Sequence, residues 1–596
     1  MSAFDPVLLA VIANRLDTIV REMENTLLRT GRSAVINMAR DFSCALITGD
    51  NRLLSTAEGL PVHVIGTEYL GEAMCELHDD IAEGDAFLHN DPYLGNTHPA
   101  DHTILVPVFC EGEHLFTTAA KAHQADIGNA SPTTYMPFAQ DSYAEGGLIF
   151  PATRIQRGYR DVDDVVRMCR RRIRVPEQWY GDYLAMIGAA RIAEARLREL
   201  AERYGVETLK TFVEEWFDYS ERTMEHVIRG MPRGTIVGRG MHDPLAPVLP
   251  DGVPINVKIT VDPDEGMVEL DLRDNIDCVP LGINESRACA TNNVMTGLFN
   301  SIDPGIPHNA GTFRRVRVLL RENCIVGIPR FPASCSVATT NVGERLVVTT
   351  QKAIADAWEG YGLAEGACGI GAGFAVVSGS DDRRGGEPYV NQKFLGSQGG
   401  PAGPVHDGWV TYGNSVTNGL MTRDSVEIDE QKYPVRVREI RMRTDSEGAG
   451  YRRGAPGAVV AYGPKTSPMH AAYVTDGFVN PPRGTRGGGD AAPSIPYKIA
   501  ADGSETPLDP IAQVSIGPGE LLGHALSGGG GYGDPLAREP ERVRDDVLSQ
   551  WVSFERAREV YGVVFAREVL GDELTVDVEA TRAQRERLRA AAPAGR

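Results

Sequence analysis

The chain has 596 residues, too many for one hydrophobic core, so two to four domains are expected. Its formal charge of −21 repels phosphate backbones and argues against nucleic-acid binding. No apolar run approaches the roughly 20 residues a membrane helix needs, and 65 glycines in a chain that is 42% hydrophobic and 24% charged fit a soluble, loop-rich enzyme.

The first predicted element is a helix. Asp5 is its candidate cap, and Pro6 is preset for a first turn. Leu8, Ile12, Leu16, Ile19, Met23 and Leu27 then recur at steps of three and four, and Gly31 is placed to end it. The start, Met1 to Pro6, has no basic region ahead of an apolar core, so no signal peptide is expected. From Asp41 the pattern changes to short strands. Phe42–Thr48, the turn residues Gly49-Asp50-Asn51-Arg52 and Leu53-Leu54 read as a hairpin. Strand-like pieces follow at Ala86–His89, Thr103–Phe109 and Leu115–Ala120. Strong helical patterns run from Pro176 to Arg203, ending at Gly205, and from Val206 to Arg229. Ile255–Val261 and Met267–Leu272 form an expected antiparallel pair, and helices are expected over Ser286–Ile302 and Gly343–Trp358. From 366 to 535 glycine dominates, in runs such as Gly396–Gly403, Gly484–Gly489 and Gly528–Gly531, which let the backbone take positive φ or approach a ligand or another chain closely, and read most simply as turn and interface elements. Charged helices are expected over Asp545–Val564 and Thr581–Ala590. The fold class is α+β, multi-domain, with a β-rich core. Its expected divisions are 1–160 (α+β, metal-binding), 161–235 (helical), 236–365 (α+β), 366–540 (Gly-rich β) and 541–596 (helical tail).

The densest chemistry lies between Gly84 and Gly128. His98 and Asp101, in Asn96-Thr97-His98-Pro99-Ala100-Asp101-His102, precede His123 in Lys121-Ala122-His123-Gln124-Ala125-Asp126. Two imidazoles and a carboxylate suit Zn, Mn or Fe, with positions left for water or substrate. His102 follows Asp101 directly. On a strand the two face opposite ways; in a loop both can face one ion. It is a candidate for supporting a ligand from behind or for carrying a proton. Asp126 is a candidate to orient His123, or else a turn residue bonded to backbone. His63 is a candidate pocket residue. Arg287 and Arg314 are candidate anion binders, against ordinary pairing with surface acids. No Gly-x-x-x-x-Gly-Lys-[Ser/Thr] loop is present, so the chain is not expected to bind nucleotide itself. No Gly-x-Ser-x-Gly elbow occurs. The nine dispersed cysteines read as reduced cytosolic thiols, without an activated nucleophile.

Read together, these segments resemble the hydantoinase B / oxoprolinase family, which includes the acetone carboxylase α subunit. The matching pieces span nearly the whole chain. They include Arg40-Asp41-Phe42-Ser43-Cys44-Ala45, Leu60–Gly66, Asn90-Asp91-Pro92-Tyr93, Thr97–His102, Ala122–Gly128, Asn284–Ala288, Pro307–Gly311, Asp445–Gly450 and Gly528–Pro535. The resemblance implies a cytoplasmic subunit of an ATP-dependent hetero-oligomer. A hydantoinase A-like partner would bind ATP and phosphorylate a small-molecule carbonyl. This chain would carry the divalent metal, on Asp41, His98, Asp101 and His123; Asp41 enters only through the resemblance. Two positions depart from the usual pattern: Asn96 stands where Gly is common before Thr97-His98, and Asn129 where Gly often follows Gly128. The expected reaction is cyclic-amide hydrolysis of the hydantoinase/oxoprolinase type. The alternatives are an acetone- or acetophenone-type carboxylase and a non-catalytic scaffold for the ATP-binding subunit.

Overall fold

The structure, a computed structural model, describes residues 4–56 and 59–591. Pro6–Thr30 is the first helix, with Asp5 Oδ1 accepting from the Val7 N–H at 2.8 Å. Its buried stripe, Ile12, Leu16, Ile19, Val20, Met23 and Leu27, follows the heptad-like spacing of the sequence. Strands β1 (Phe42–Thr48) and β2 (Leu53–Thr56) form the expected hairpin. With β3 (Ala86–His89), β4 (Asp101–Cys110), β5 (Glu113–His123), β6 (Thr153–Arg157) and β7 (Arg160–Asp161) they build an antiparallel sheet of order β2-β1-β5-β4-β3-β6-β7.

Alternation along these strands separates two faces. Cys44 and Leu46, Ile104, Val106 and Val108, and Ala120 and Ala122 face a helical layer. That layer is the first helix with Pro176–Tyr204 and Val206–Gly230. Ala45, Ile47, Phe87, Leu105 and Ala119 face the other way, into a separate apolar cluster. Asp101, Lys121, His123 and Ser43 have the parity of this second face.

A second sheet has order β11-β10-β9-β8, from β8 (Gly234–His242), β9 (Val253–Asp262), β10 (Met267–Asp271) and β11 (Val316–Leu319). The expected β9–β10 pairing is antiparallel, with Val261 opposite Val268. The buried helices Arg287–Phe299 and Val342–Ala357 lie within a residue or three of the expected bounds. Two five-stranded sheets occupy 369–525. The expected Asp545–Val564 helix is instead two, Pro540–Leu548 and Phe554–Glu559, broken where Asp445 Oδ1 accepts from the Ser553 N–H and Ser553 caps the second. The fold is a mixed α+β one with several sheets, as expected. All nine cysteines are unpaired, and no helix among the described residues is long and apolar enough to cross a membrane.

The runs Gly396–Gly403 and Gly528–Gly531 are buried inside the chain, whereas Gly484–Gly489 is partly exposed. Gly528–Gly531 threads between other backbones without forming a strand. Its N–H and C=O groups pair sideways: Gly529 N with Ala455 O at 2.9 Å, Gly448 N with Gly529 O at 2.8 Å and Gly531 N with Gly489 O at 3.0 Å. Chains stack this closely only where side chains are missing.

Candidate metal centre

Three neighbouring strands end in one row. Asp101 opens β4 and lies opposite His123, the last residue of β5. Phe42 lies opposite Ala122, so Asp41, one residue earlier, stands beside His123, whose N–H donates to the Asp41 carbonyl at 3.0 Å. Arg40, with φ +60°, turns the chain into this position. His98 comes from the turn before β4, closed by Asn96, whose Nδ2 donates to the carbonyls of His98 (2.8 Å) and Asp101 (2.9 Å). Asn96, the departure noted in the sequence, thus holds the turn that delivers the cluster.

His98, Asp101 and His123 offer ligand atoms all within 4.8 Å of one another, and all three are buried. His98 Nδ1 lies 2.8 Å from the Ser336 carbonyl oxygen, which can only accept, so Nδ1 carries the ring hydrogen. In the neutral ring Nε2 is then a bare lone pair. It stands 2.8 Å from Asp101 Oδ1 and 3.2 Å from His123 Nδ1, itself 3.1 Å from the same oxygen. Lone pairs facing each other at these distances need positive charge among them, a proton or a cation. The donor set and its convergence therefore fit a divalent ion of the Zn, Mn or Fe kind.

The charges respond to this crowding. Burial pushes the Asp41 carboxyl above its usual range, against the pull of His123 and His63. Burial would also raise Asp101, but the His98 and His63 imidazoles outweigh it and hold Asp101 well below. His98 is raised: burial opposes its charge, and Asp101 overcomes that penalty.

His63, from the short helix Pro61–Val64, reaches over the row. Its Nε2 is 3.3 Å from Asp101 and 3.6 Å from Asp41, and its Nδ1 is buried without a partner. A cavity opens beside it. Asp41, Asp101, His63 and His123 share it with Tyr135, Thr340, Gln392 and Asn414 and with an apolar wall of Val62, Ile370, Phe394 and Val416. Burial raises the Tyr135 phenol well above its ordinary value, so it stays a hydrogen-bond donor.

Two expected site residues lie elsewhere. His102 is on the strand, not in a loop, so it faces the helical layer. It packs edge-on against Phe150 and Trp179, and accepts from Trp179 Nε1 at 3.4 Å. Burial lowers its pKa to about 3, leaving a neutral ring. Asp126 does not touch His123; its carboxylate takes the Gly128 N–H, the Arg174 N–H and the Arg174 guanidinium. Arg314 pairs with Asp218 and Glu221, and Arg287 stacks on Tyr69 at 4.1 Å. Sequence reasoning did not find Tyr135, Ser336, Gln392 or Asn414, which come from distant loops and carry no local signature. Thr97 was visible beside His98; its hydroxyl donates to Asp101 Oδ2.

Thr97→Val keeps that side chain's shape and removes its donor. Metal affinity is expected to fall ~10- to 100-fold, as for other partners of ligating groups. Chelator competition reads this directly, and an unchanged affinity would remove Thr97 from the site.

An antiparallel sheet backed by helices, with a buried His/Asp cluster at the ends of its inner strands, defines a mixed α/β protein with a candidate metal centre. The model of the Hydantoinase B/oxoprolinase family matches residues 5–535, and the chain belongs to that family. It is 31% identical to the caprolactamase subunit beta of Pseudomonas jessenii over 95% of this chain and 97% of that one. The crystal structure of the ATP-dependent caprolactamase from Pseudomonas jessenii superposes with a TM-score of 0.86 at 28% identity, covering 98% of this chain and 100% of that chain. A nucleotide-free acetone carboxylase structure gives 0.85 at 19% identity, over 99% of this chain and 84% of that chain, a likeness of fold.

Proposed function

We propose that this chain is the metal-holding subunit of an ATP-dependent cyclic-amide hydrolase, acting on a carbonyl that a hydantoinase A-like partner has phosphorylated. The observation that carries the reading is the convergence of His98 Nε2, His123 Nδ1 and Asp101 Oδ1 beneath a cavity with one apolar and one neutral-polar wall. The named activity of the Pseudomonas jessenii caprolactamase supports it.

A cyclic amide is a poor electrophile because resonance spreads the nitrogen lone pair into the carbonyl. Transfer of a phosphoryl group to the oxygen, the partner's step, turns that oxygen into a leaving group. Asp41, His98, Asp101 and His123 would hold the divalent ion, which when bound supplies Lewis acidity toward a water or a carbonyl oxygen. The apolar wall of Val62, Ile370, Phe394 and Val416 suits the methylene side of the ring. Tyr135, Thr340, Gln392 and Asn414 offer hydrogen bonds to its amide edge. His63 Nε2, the imidazole beside both carboxylates, takes the proton-carrying place that His102 and Asp126 do not reach.

The test is co-purification with the partner and a screen of lactams, hydantoins and ketones for ATP consumption, with and without bicarbonate. Ring opening coupled to ATP use is expected without bicarbonate, and no ATP turnover is expected from this chain alone. Strict bicarbonate dependence would replace the hydrolase with the carboxylase. ATPase activity in the isolated chain would overturn the division of labour. Full activity after metal removal would leave only a scaffold.

A further inference from the structure

Outside the inner cavity lies a second, open pocket. The inner one, about 20 Å³, is lined by Asp41, Asp101 and His123 of the candidate metal centre; the outer one measures about 400 Å³. They share two side chains, Phe394 and Met421. Residues 411–423 run between them. Asn414, Val416 and Thr417 line the inner side, and Thr411, Tyr412, Thr422 and Arg423 the outer. The strap is anchored at its far end. Thr422 N–H donates to the Ala39 carbonyl at 3.1 Å, and Asp424 N–H to the Phe394 carbonyl at 2.8 Å. Asp424 Oδ2 in turn accepts from the Phe394 N–H at 3.0 Å. Phe394 and Met421 thus stand with the strap between the inner cavity and the outer pocket.

The two chambers differ in charge. Among the described residues, no lysine or arginine lines the inner cavity. The outer pocket holds the Arg423 guanidinium, exposed and without a carboxylate partner among the described residues, beside the half-exposed Trp409 indole. In a chain of net charge −21, where most guanidiniums have acid partners, one without a carboxylate partner in a pocket beside an indole is an anion-directed arrangement.

We infer that the outer pocket is a binding site for phosphate esters of small organic molecules, with Arg423 recognising the phosphoryl oxygens and Trp409 and Tyr412 packing on the organic body. It rests on the reading above for its role: the activated substrate docks here, next to the metal centre, on the outer side of Phe394 and Met421. The guanidinium offers paired N–H donors to the phosphoryl oxygens.

Phenyl phosphate added to the full-length chain tests the site without any turnover. A saturable change in tryptophan fluorescence is expected. Trp409→Phe should remove it, and Arg423→Gln should raise the half-saturation point by ~10-fold or more. No saturable change in the unaltered chain, or equal titrations for it and Arg423→Gln, overturns the site. In the assembled complex, Arg423→Gln is expected to raise the ATP consumed per ring opened, because the activated intermediate escapes. Unchanged coupling overturns the role. If the unaltered complex opens no ring yet phenyl phosphate still binds through Arg423, the hydrolase reading fails and the phosphate-ester site stands.

Discussion

His98→Ala is expected to strip the divalent ion from the purified chain and to lower ring-opening turnover by ~1000-fold or more, the scale of losing Lewis-acid assistance. The ring supplies the lone pair that its bond to Ser336 aims at Asp101 and His123. Alanine also leaves the buried Asp101 carboxylate short of a partner and opens a cavity, which together cost about 2–4 kcal/mol of stability. A loss of activity could therefore report unfolding, so His98→Asn, which keeps much of the volume and polarity, belongs beside it. Metal content by mass spectrometry, circular dichroism and partner co-purification separate the outcomes. Folded, partner-competent variants without metal support the centre. Either variant with full metal content and full turnover would remove His98 from it.

The legible part of this site is the part encoded by neighbours in sequence. His98 and Asp101 are three apart and flank one turn, while His123 meets Asp101 because β4 and β5 form a tight hairpin. Asp41 needs the β1–β5 pairing to arrive, a contact 82 residues apart in sequence that no spacing rule reports. His102 shows the limit of a residue list. Its type suits catalysis, yet strand parity turns it toward Phe150 and Trp179, and only the strand assignment decides between the two faces. The same holds for Asp126, whose proximity to His123 in sequence is spent on a turn closed by Arg174. The cavity's far wall, Ile370 to Met421, comes from residues that look like ordinary loop and strand, because what qualifies them is position in three dimensions.

Long helices were legible for a similar reason: a buried stripe repeats every three to four residues over 25 residues in both Pro6–Thr30 and Val206–Gly230. The glycine runs were legible only as places where the chain turns or another chain approaches closely. A run of glycines has no periodic side-chain signal, and its permissive φ suggests an exposed turn. What the fold uses instead is the absent side chain.

Gly529→Ala is the sharpest test of that use, and is expected to abolish soluble folding or to cost at least ~4 kcal/mol, beyond the usual range for a single added methyl. A methyl carbon on Gly529 would overlap the carbonyl oxygen and carbon of Gly400 and lie 2.9 Å from the Gly399 oxygen. All of these are backbone atoms and cannot rotate aside. The neighbouring chains cannot retreat either, since Gly529 is bonded sideways to Ala455 and Gly448, and Ala455 in turn to Gly400. A methyl carbon on Gly454 would likewise overlap the Gly529 carbonyl, so the contact is tight from two directions. Gly503 supplies the control for added volume: its surroundings are open, though its φ of +86° makes alanine there mildly strained. Thermal melts and soluble yield of Gly529→Ala against Gly503→Ala read the difference. The stacked-backbone account requires a large gap between them; equal melting temperatures would mean that the glycine layer yields, and that these runs serve as flexible connectors after all.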